Sequence, residues 1–225
     1  MAFTSGVVGL VKGNLDDISD DHITEEAGDD TLNCYINVEQ RRKDLSNEIT
    51  TVQGKVATEK YIERDVVEID DGEISIKEER KSDWTWSNFW LVPGGRFIVA
   101  ESTNGTFPFD KLSQSTGVQI VRASFNLTDI VKQYTGQWMG GFQDRPEQVR
   151  SGTLYGEEIE TDIDMGEPFL ESDKTQIGPL IEFDGQKLKA RITKDGLVQV
   201  VAPGNYRREK YLSFIDEMLI QHTFS

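Results

Sequence analysis

The chain has a single cysteine, Cys34, and only two histidines, His22 and His222. One cysteine excludes an internal disulfide, and neither histidine has a Cys or His neighbour at the spacing a zinc site needs. No apolar run approaches the roughly 20 residues of a membrane-spanning helix. The start, "MAFTSGVVGLVKG", lacks the charged opening and long apolar stretch of a secretory signal. The expectation is a cytoplasmic protein with no membrane partner. No phosphate-binding G-x-x-x-x-G-K-[ST] loop, G-x-S-x-G nucleophile turn or H-E-x-x-H pair occurs. No cofactor is called for, and the chain reads as a non-enzymatic protein.

Positive charge is also scarce: 24 Lys and Arg stand against 40 Asp and Glu, a formal net charge of -16. Such a field repels nucleic acid and anionic membranes at long range. It also keeps a protein soluble in a salty cytoplasm, so the composition fits a halophilic source. With 225 residues, 36% of them hydrophobic, the chain has enough apolar material for a real core.

The charge is unevenly spread. Residues 14–30, "NLDDISDDHITEEAGDD", carry eight acids and no Lys or Arg, which predicts a solvated acidic loop. A second block, residues 157–173, repeats that balance. Its Asp162, Asp164 and Glu167 suggest a cation loop, but Gly166 stands where that pattern wants a ligand. Between residues 187 and 210, by contrast, seven basic residues meet two acids. Lys187, Lys189 and Arg191 alternate with Leu188, Ala190 and Ile192, and Arg207, Arg208 and Lys210 follow in "NYRREKY". These six basic residues are the candidate site for an anionic partner. That partner is a nucleic-acid backbone, an acidic protein or the chain's own block at 157–173, and the competing reading is a solvated face with no partner.

Strand signals dominate the middle. In "VVEIDDGEISIK" the pair Asp71-Gly72 fits a two-residue type I′ turn that sets Ile69 opposite Ile74 and Val67 opposite Ile76. "SNFWLVPGGRFIVAES" predicts a second hairpin turning at Pro93-Gly94-Gly95. Trp84, Trp86, Phe89 and Trp90 cluster there, with core filling preferred to stacking on a ligand. A short helix is expected around "FPFDKLSQ", and "GVQIVRASFNLTDIVKQY" reads as a strand running into a helix capped by Thr128. In the turn-rich run 135–156 a strand or exposed loop is expected, and Gly140-Gly141 beside aromatics, Arg145 and Arg150 suggest a bend between strands in preference to a binding lip. A three-residue loop, Lys194-Asp195-Gly196, brings Leu188, Ala190, Ile192, Val198, Val200 and Ala202 to one face. The last helix is expected to start at an Asn205 cap and to bury Tyr211, Leu212, Ile215, Met218 and Leu219. Glu182, Asp184 and Lys187 in "EFDGQK" are the one set that would suit a metal-dependent nuclease.

The expected fold is α+β, mainly antiparallel sheet with hairpins, one short central helix and a long C-terminal helix. A strand-rich part covers 1–100 and a strand-helix-sheet-helix part covers 118–225, with the boundary soft enough for one domain. The order in 118–222 resembles half of a TATA-binding-protein-like fold: "FNLTDIVKQY" is similar to its first helix, "KLKARITKDGLVQVV" to its hairpin and "NYRREKYLSFIDEML" to its closing helix. A second repeat is missing from 1–117, and the intercalating phenylalanines have no equivalents, so the resemblance implies a general binding module and not a minor-groove binder. Three functions follow in order: an adaptor using the basic residues, a structural or assembly subunit whose strands and exposed aromatics pair with copies of itself or neighbours, and the nuclease.

Overall fold

The computed structural model describes residues 4–28, 30–43, 50–101, 106–144 and 150–224. Arg145 of the expected lip lies outside the described residues. The strands are β1 (Ser5–Lys12), β2 (Asp21–Ala27), β3 (Asp30–Lys43), β4 (Thr50–Asp70), β5 (Glu73–Leu91), β6 (Phe97–Ala100), β7 (Gln119–Arg122), β8 (Met139–Gln143), β9 (Ser151–Tyr155), β10 (Asp173–Ile177), β11 (Leu180–Phe183), β12 (Gln186–Thr193) and β13 (Leu197–Ala202). The helices are α1 (Phe107–Thr116), α2 (Leu127–Gln133), α3 (Gly166–Glu171) and α4 (Arg208–Phe214). The architecture is α+β and mostly antiparallel, as expected.

Among the described residues the strands form one sheet in the order β2-β3-β4-β5-β6-β1-β13-β12-β10-β8-β9, with β11 on β12 and β7 on β1. The N-terminal strand is the joint. Its eight residues pair with β6, β7 and β13, so the two expected parts share one sheet through β1. Alternation along β1 sends Val8 and Leu10 into one core and Val7 and Val11 into another on the opposite face. The first core lies under α2, α3 and α4; the second lies under α1 and the segment holding Leu15 and Ile18.

Local chemistry explains the helix boundaries. α1 begins with Pro108 in its first turn and ends at Gly117, whose φ of 70° lets its N–H reach back to the Ser113 carbonyl. α2 is capped by Asn126 and not by Thr128: the Asn126 carboxamide accepts the Asp129 N–H at 3.3 Å, and Thr128 sits inside the first turn. α4 starts at Arg208, with Arg207 in the cap position, later than the Asn205 start expected. Burying Tyr206 in the turn after Pro203 postpones the helix. Nor is the final helix one long α-helix: a π-helical turn follows at Ile215–Leu219, then a 3-10 turn at Ile220–His222. Tyr211, Leu212, Ile215 and Leu219 are buried as expected, and the Tyr211 hydroxyl donates to the Val198 carbonyl at 2.8 Å.

The first acidic block is not a loop throughout. Residues 21–27 form β2, and every residue of it pairs with β3. β2 ends the sheet, and charged side chains on an edge strand keep it from templating further strands. Leu15 and Ile18, both buried, anchor the segment before it. Cys34 is buried, as its alternation indicated, and burial pushes its thiol pKa up.

His222 closes the C-terminal turns beside Tyr134, ring centroids 6.3 Å apart, with a buried Nε2 that has no hydrogen-bond partner among the described residues. Desolvation lowers its pKa from the ordinary 6.5, against a weaker upward pull from Asp129. The unfolded chain therefore binds the proton more readily. The stability this adds is complete above about pH 6.5 and is lost as pH falls through the folded value. Urea unfolding of the wild type is expected to weaken between pH 7 and pH 5, with a flatter profile for His222→Gln; identical slopes for the two proteins would exclude His222 as the cause.

Candidate functional site

The β12–β13 hairpin has the register anticipated near its turn. Gly196 at φ 93° closes the loop, Ile192 faces Val198 and Ala190 faces Val200. A register shift beyond Ala190 then sets Ala202 opposite Lys189 and leaves Val201 exposed. Leu188, Ala190 and Ile192 point into the core that α4 covers, so Lys187, Lys189 and Arg191 project from the opposite face of the sheet. Arg207, Arg208 and Lys210 stay on the α4 side. The six basic residues therefore do not form one strip, because the alternation that exposes the first three turns them away from the helix.

Most of these cations also have partners within the chain. Lys189 lies over the Trp138 ring, 4.1 Å from its centroid, and Arg191 Nε donates to the Gln176 side-chain Oε1 at 3.0 Å. Arg208 donates to Gln53 and stands 4.9 Å from the Trp90 ring centroid. Lys210 pairs with Asp184, and Arg207 with Glu209 at 4.0 Å. Lys187 is exposed and sits across from Glu182. The acidic block 157–173 uses carboxylates elsewhere: Glu160 accepts the Gly136 and Gln137 N–H groups, Asp162 accepts those of Asp164 and Met165, and Asp173 pairs with Lys194 at 2.9 Å.

The nuclease set fares no better. Asp184 and Gly185 both have positive φ and form the tight turn between β11 and β12, which commits Asp184 to geometry and to Lys210. Among the described residues no group of three or more His, Cys, Asp and Glu is placed to hold a metal. The acids of residues 16–21 line a cleft of about 450 Å³. All four are engaged: Asp16 with the Asn14 carboxamide, Asp17 with Arg41, Asp20 with the Val38 N–H and Asp21 with Ser115. The expected strand is present: Gly140-Gly141 lies within β8, and the bend does not fall at these glycines.

The surface that stands out is one the aromatic cluster only half signalled. Phe89 and Trp90 are buried, whereas Trp84 and Trp86 are 45% and 58% exposed. They belong to a hairpin that outruns its sheet. β4 and β5 pair without interruption from Val52↔Leu91 to Asp70↔Glu73, while β3 leaves β4 at Thr58 and β6 leaves β5 at Phe89. Beyond these points, among the described residues, the hairpin is a two-stranded arm with both edges open. Asp71 and Gly72, at φ 47° and 84°, make the expected type I′ turn, with Ile69 opposite Ile74 and Val67 opposite Ile76.

The arm's two faces differ. One is charged, with Arg64 bound to Glu79 at 2.8 Å and Lys77 to Glu68. Arg64 lowers the Glu79 pKa by hydrogen bonding and by its charge. The other carries Val67, Ile69, Ile74 and Ile76 at its tip, all exposed, with Ile69 at 71% and Ile74 at 72%. Toward the body the same face shows Tyr61, Trp84 and Trp86. β3 and β2 widen it: Tyr35 lies 5.9 Å from Trp84 and stacks on His22 at 4.4 Å with the planes 2° apart. A hydrogen-bonded row, His22 Nε2 with Asn33 Oδ1 at 3.0 Å and Asn33 Nδ2 to Glu59 at 3.0 Å, fixes these strands beside the rings. The Asn33 donors hold the Glu59 carboxyl below its usual range. No protein-family model matches the chain, and no curated protein matches it either.

Proposed function

We propose that this protein is a non-enzymatic assembly subunit that joins its neighbours through the aromatic and aliphatic face of the β4–β5 arm. One observation carries the reading: four aliphatic side chains are exposed together at the tip of a ribbon that is charged on its other face. A two-stranded hairpin standing alone in water is marginal, and an exposed apolar patch of this kind marks a contact surface. The opposing reading, an adaptor gripping an anionic partner with its basic residues, is weakened by their division between two faces and by their partners within the chain.

Hydroxyl-radical footprinting of the protein in its native assembly and as a diluted chain separates the two. Trp84, Trp86, Ile69 and Ile74 are expected to lose reactivity in the assembly, while acylation of Lys187 stays the same. Protection of Lys187 with an unchanged arm would favour the anionic-partner reading instead.

A further inference from the structure

We infer that the C-terminal strap, residues 220–224, is a pH-sensitive latch: protonation of His222 releases it from residues 123–126, the segment that leads into α2. An isolated antiparallel bridge joins Thr223 to Phe125. On either side of it the Asn126 N–H donates to the His222 carbonyl at 2.8 Å and the Phe224 N–H to the Ser124 carbonyl at 2.9 Å. Asn126 is also the cap of α2, so the latch closes on the residue that starts that helix. Two backbone hydrogen bonds of modest net strength are too few to hold a segment that must carry an unsolvated charge.

His222 supplies that condition. Its Nε2 is buried and has no hydrogen-bond partner among the described residues. In a neutral ring with the proton on Nδ1, this nitrogen is a bare lone pair. Protonation sets an N–H bearing positive charge at the same buried point with nothing to accept it, which costs far more than an idle lone pair. The Tyr134 ring, 6.3 Å away between centroids and tilted 76°, is too distant to hold the cation by its face. The Tyr134 hydroxyl is taken up with Gln133 and the Met218 carbonyl, and burial keeps it protonated. From α2 the charge that reaches the ring is Asp129, and its pull is weaker than the cost of burial, while Lys132 acts on Lys174. From the π-helical turn, Asp216 pairs with Arg96 at 3.3 Å and Glu217 acts on Tyr206. Residues 123–126 bring no charged side chain. Opening restores the ordinary histidine value of 6.5, so the open strap binds the proton more readily and opening grows as pH falls below that value. One such site raises the open population at most about 25-fold between pH 7 and pH 5.

Amide hydrogen exchange of the full chain, followed by NMR at pH 7 and pH 5 and corrected for intrinsic rates, tests the latch independently of the arm. Protection of the Asn126 and Phe224 amides is expected to fall at least about threefold between the two conditions. His222→Gln, uncharged at both, is expected to level that fall. Urea well below the unfolding midpoint separates the latch from unfolding of the whole chain, because a local opening exposes little surface. The Asn126 and Phe224 rates are expected to ignore it, whereas the rate of Ala123, whose N–H goes to the Val8 carbonyl at 2.8 Å, rises with it. Equal protection at the two pH values overturns the latch, as does an undiminished fall in His222→Gln. Asn126 and Phe224 rates that climb with urea as Ala123 does overturn it too, since the strap then opens only with the fold.

Discussion

Gly140→Val is expected to destabilise the protein by about 3 kcal/mol or more, a large fraction of what holds a domain folded. A Cβ at this position would stand 2.3 Å from Phe169 Cε2 and 2.9 Å from Ile159 Cδ1. Both neighbours are buried: Phe169 on α3 and Ile159 just before it press onto β8 at the bare backbone. Neither can retreat, because α3 sits against the sheet and Lys174, buried beneath it, is held by the Leu170 and Ser172 carbonyls at 2.8 and 3.2 Å. The glycine is required by close approach of an aromatic ring and not by its backbone angles. Urea midpoints check this against Gly204→Ala, where a Cβ meets nothing within 4 Å and a change within about 0.5 kcal/mol is expected. Similar midpoints for the two variants would mean that α3 does not pack on β8 as described.

Shortening the arm is expected to do the opposite, leaving stability almost untouched and abolishing assembly. Joining Glu63 to Arg80 through Asn-Gly removes Arg64–Glu79, keeps the cross-strand Glu63/Arg80 rung and supplies a residue pair suited to a two-residue turn. None of the removed residues belongs to either core. The nearest ties to the body, Arg80 to Asp30 at 3.3 Å and Arg80 over the Tyr61 ring at 3.9 Å, are retained. The salt bridges lost, Arg64–Glu79 and Lys77–Glu68, are exposed pairs that solvent screens, and both act within the arm. Thermal unfolding of the body should therefore shift by no more than a few degrees. A collapse of stability would show that the arm contributes to the fold itself.

How much of this could be read from residue order depends on the range of the interaction. Asp71-Gly72 dictates its own turn, and with it the register of the whole arm, because two-residue turns fix pairing locally. Alternation in β12 and the helical stripe of Tyr211, Leu212 and Ile215 likewise declared their buried faces. The basic residues misled for a related reason: alternation correctly exposed Lys187, Lys189 and Arg191, but their distance from Arg207 depends on which face α4 covers, a tertiary fact. The acidic β2 read as loop because charge masked a strand whose pairing comes from β3. A strand is expected around Gly140-Gly141 and found, but the bend is misplaced at these glycines, because glycine signals a turn and close packing alike. Trp84 and Trp86 are indistinguishable by type from Phe89 and Trp90; their exposure follows from where β3 and β6 stop, which no local pattern marks.

The most direct test of the arm's role is the mass of the species that the arm-shortened chain forms where the full chain is normally made, measured by size exclusion with light scattering beside the unaltered protein. The prediction is that the full chain elutes in an assembly and the shortened chain as a folded species of one subunit. A shortened chain that still enters an assembly of unchanged mass would contradict the account, and the contact would have to be sought on another face of the sheet.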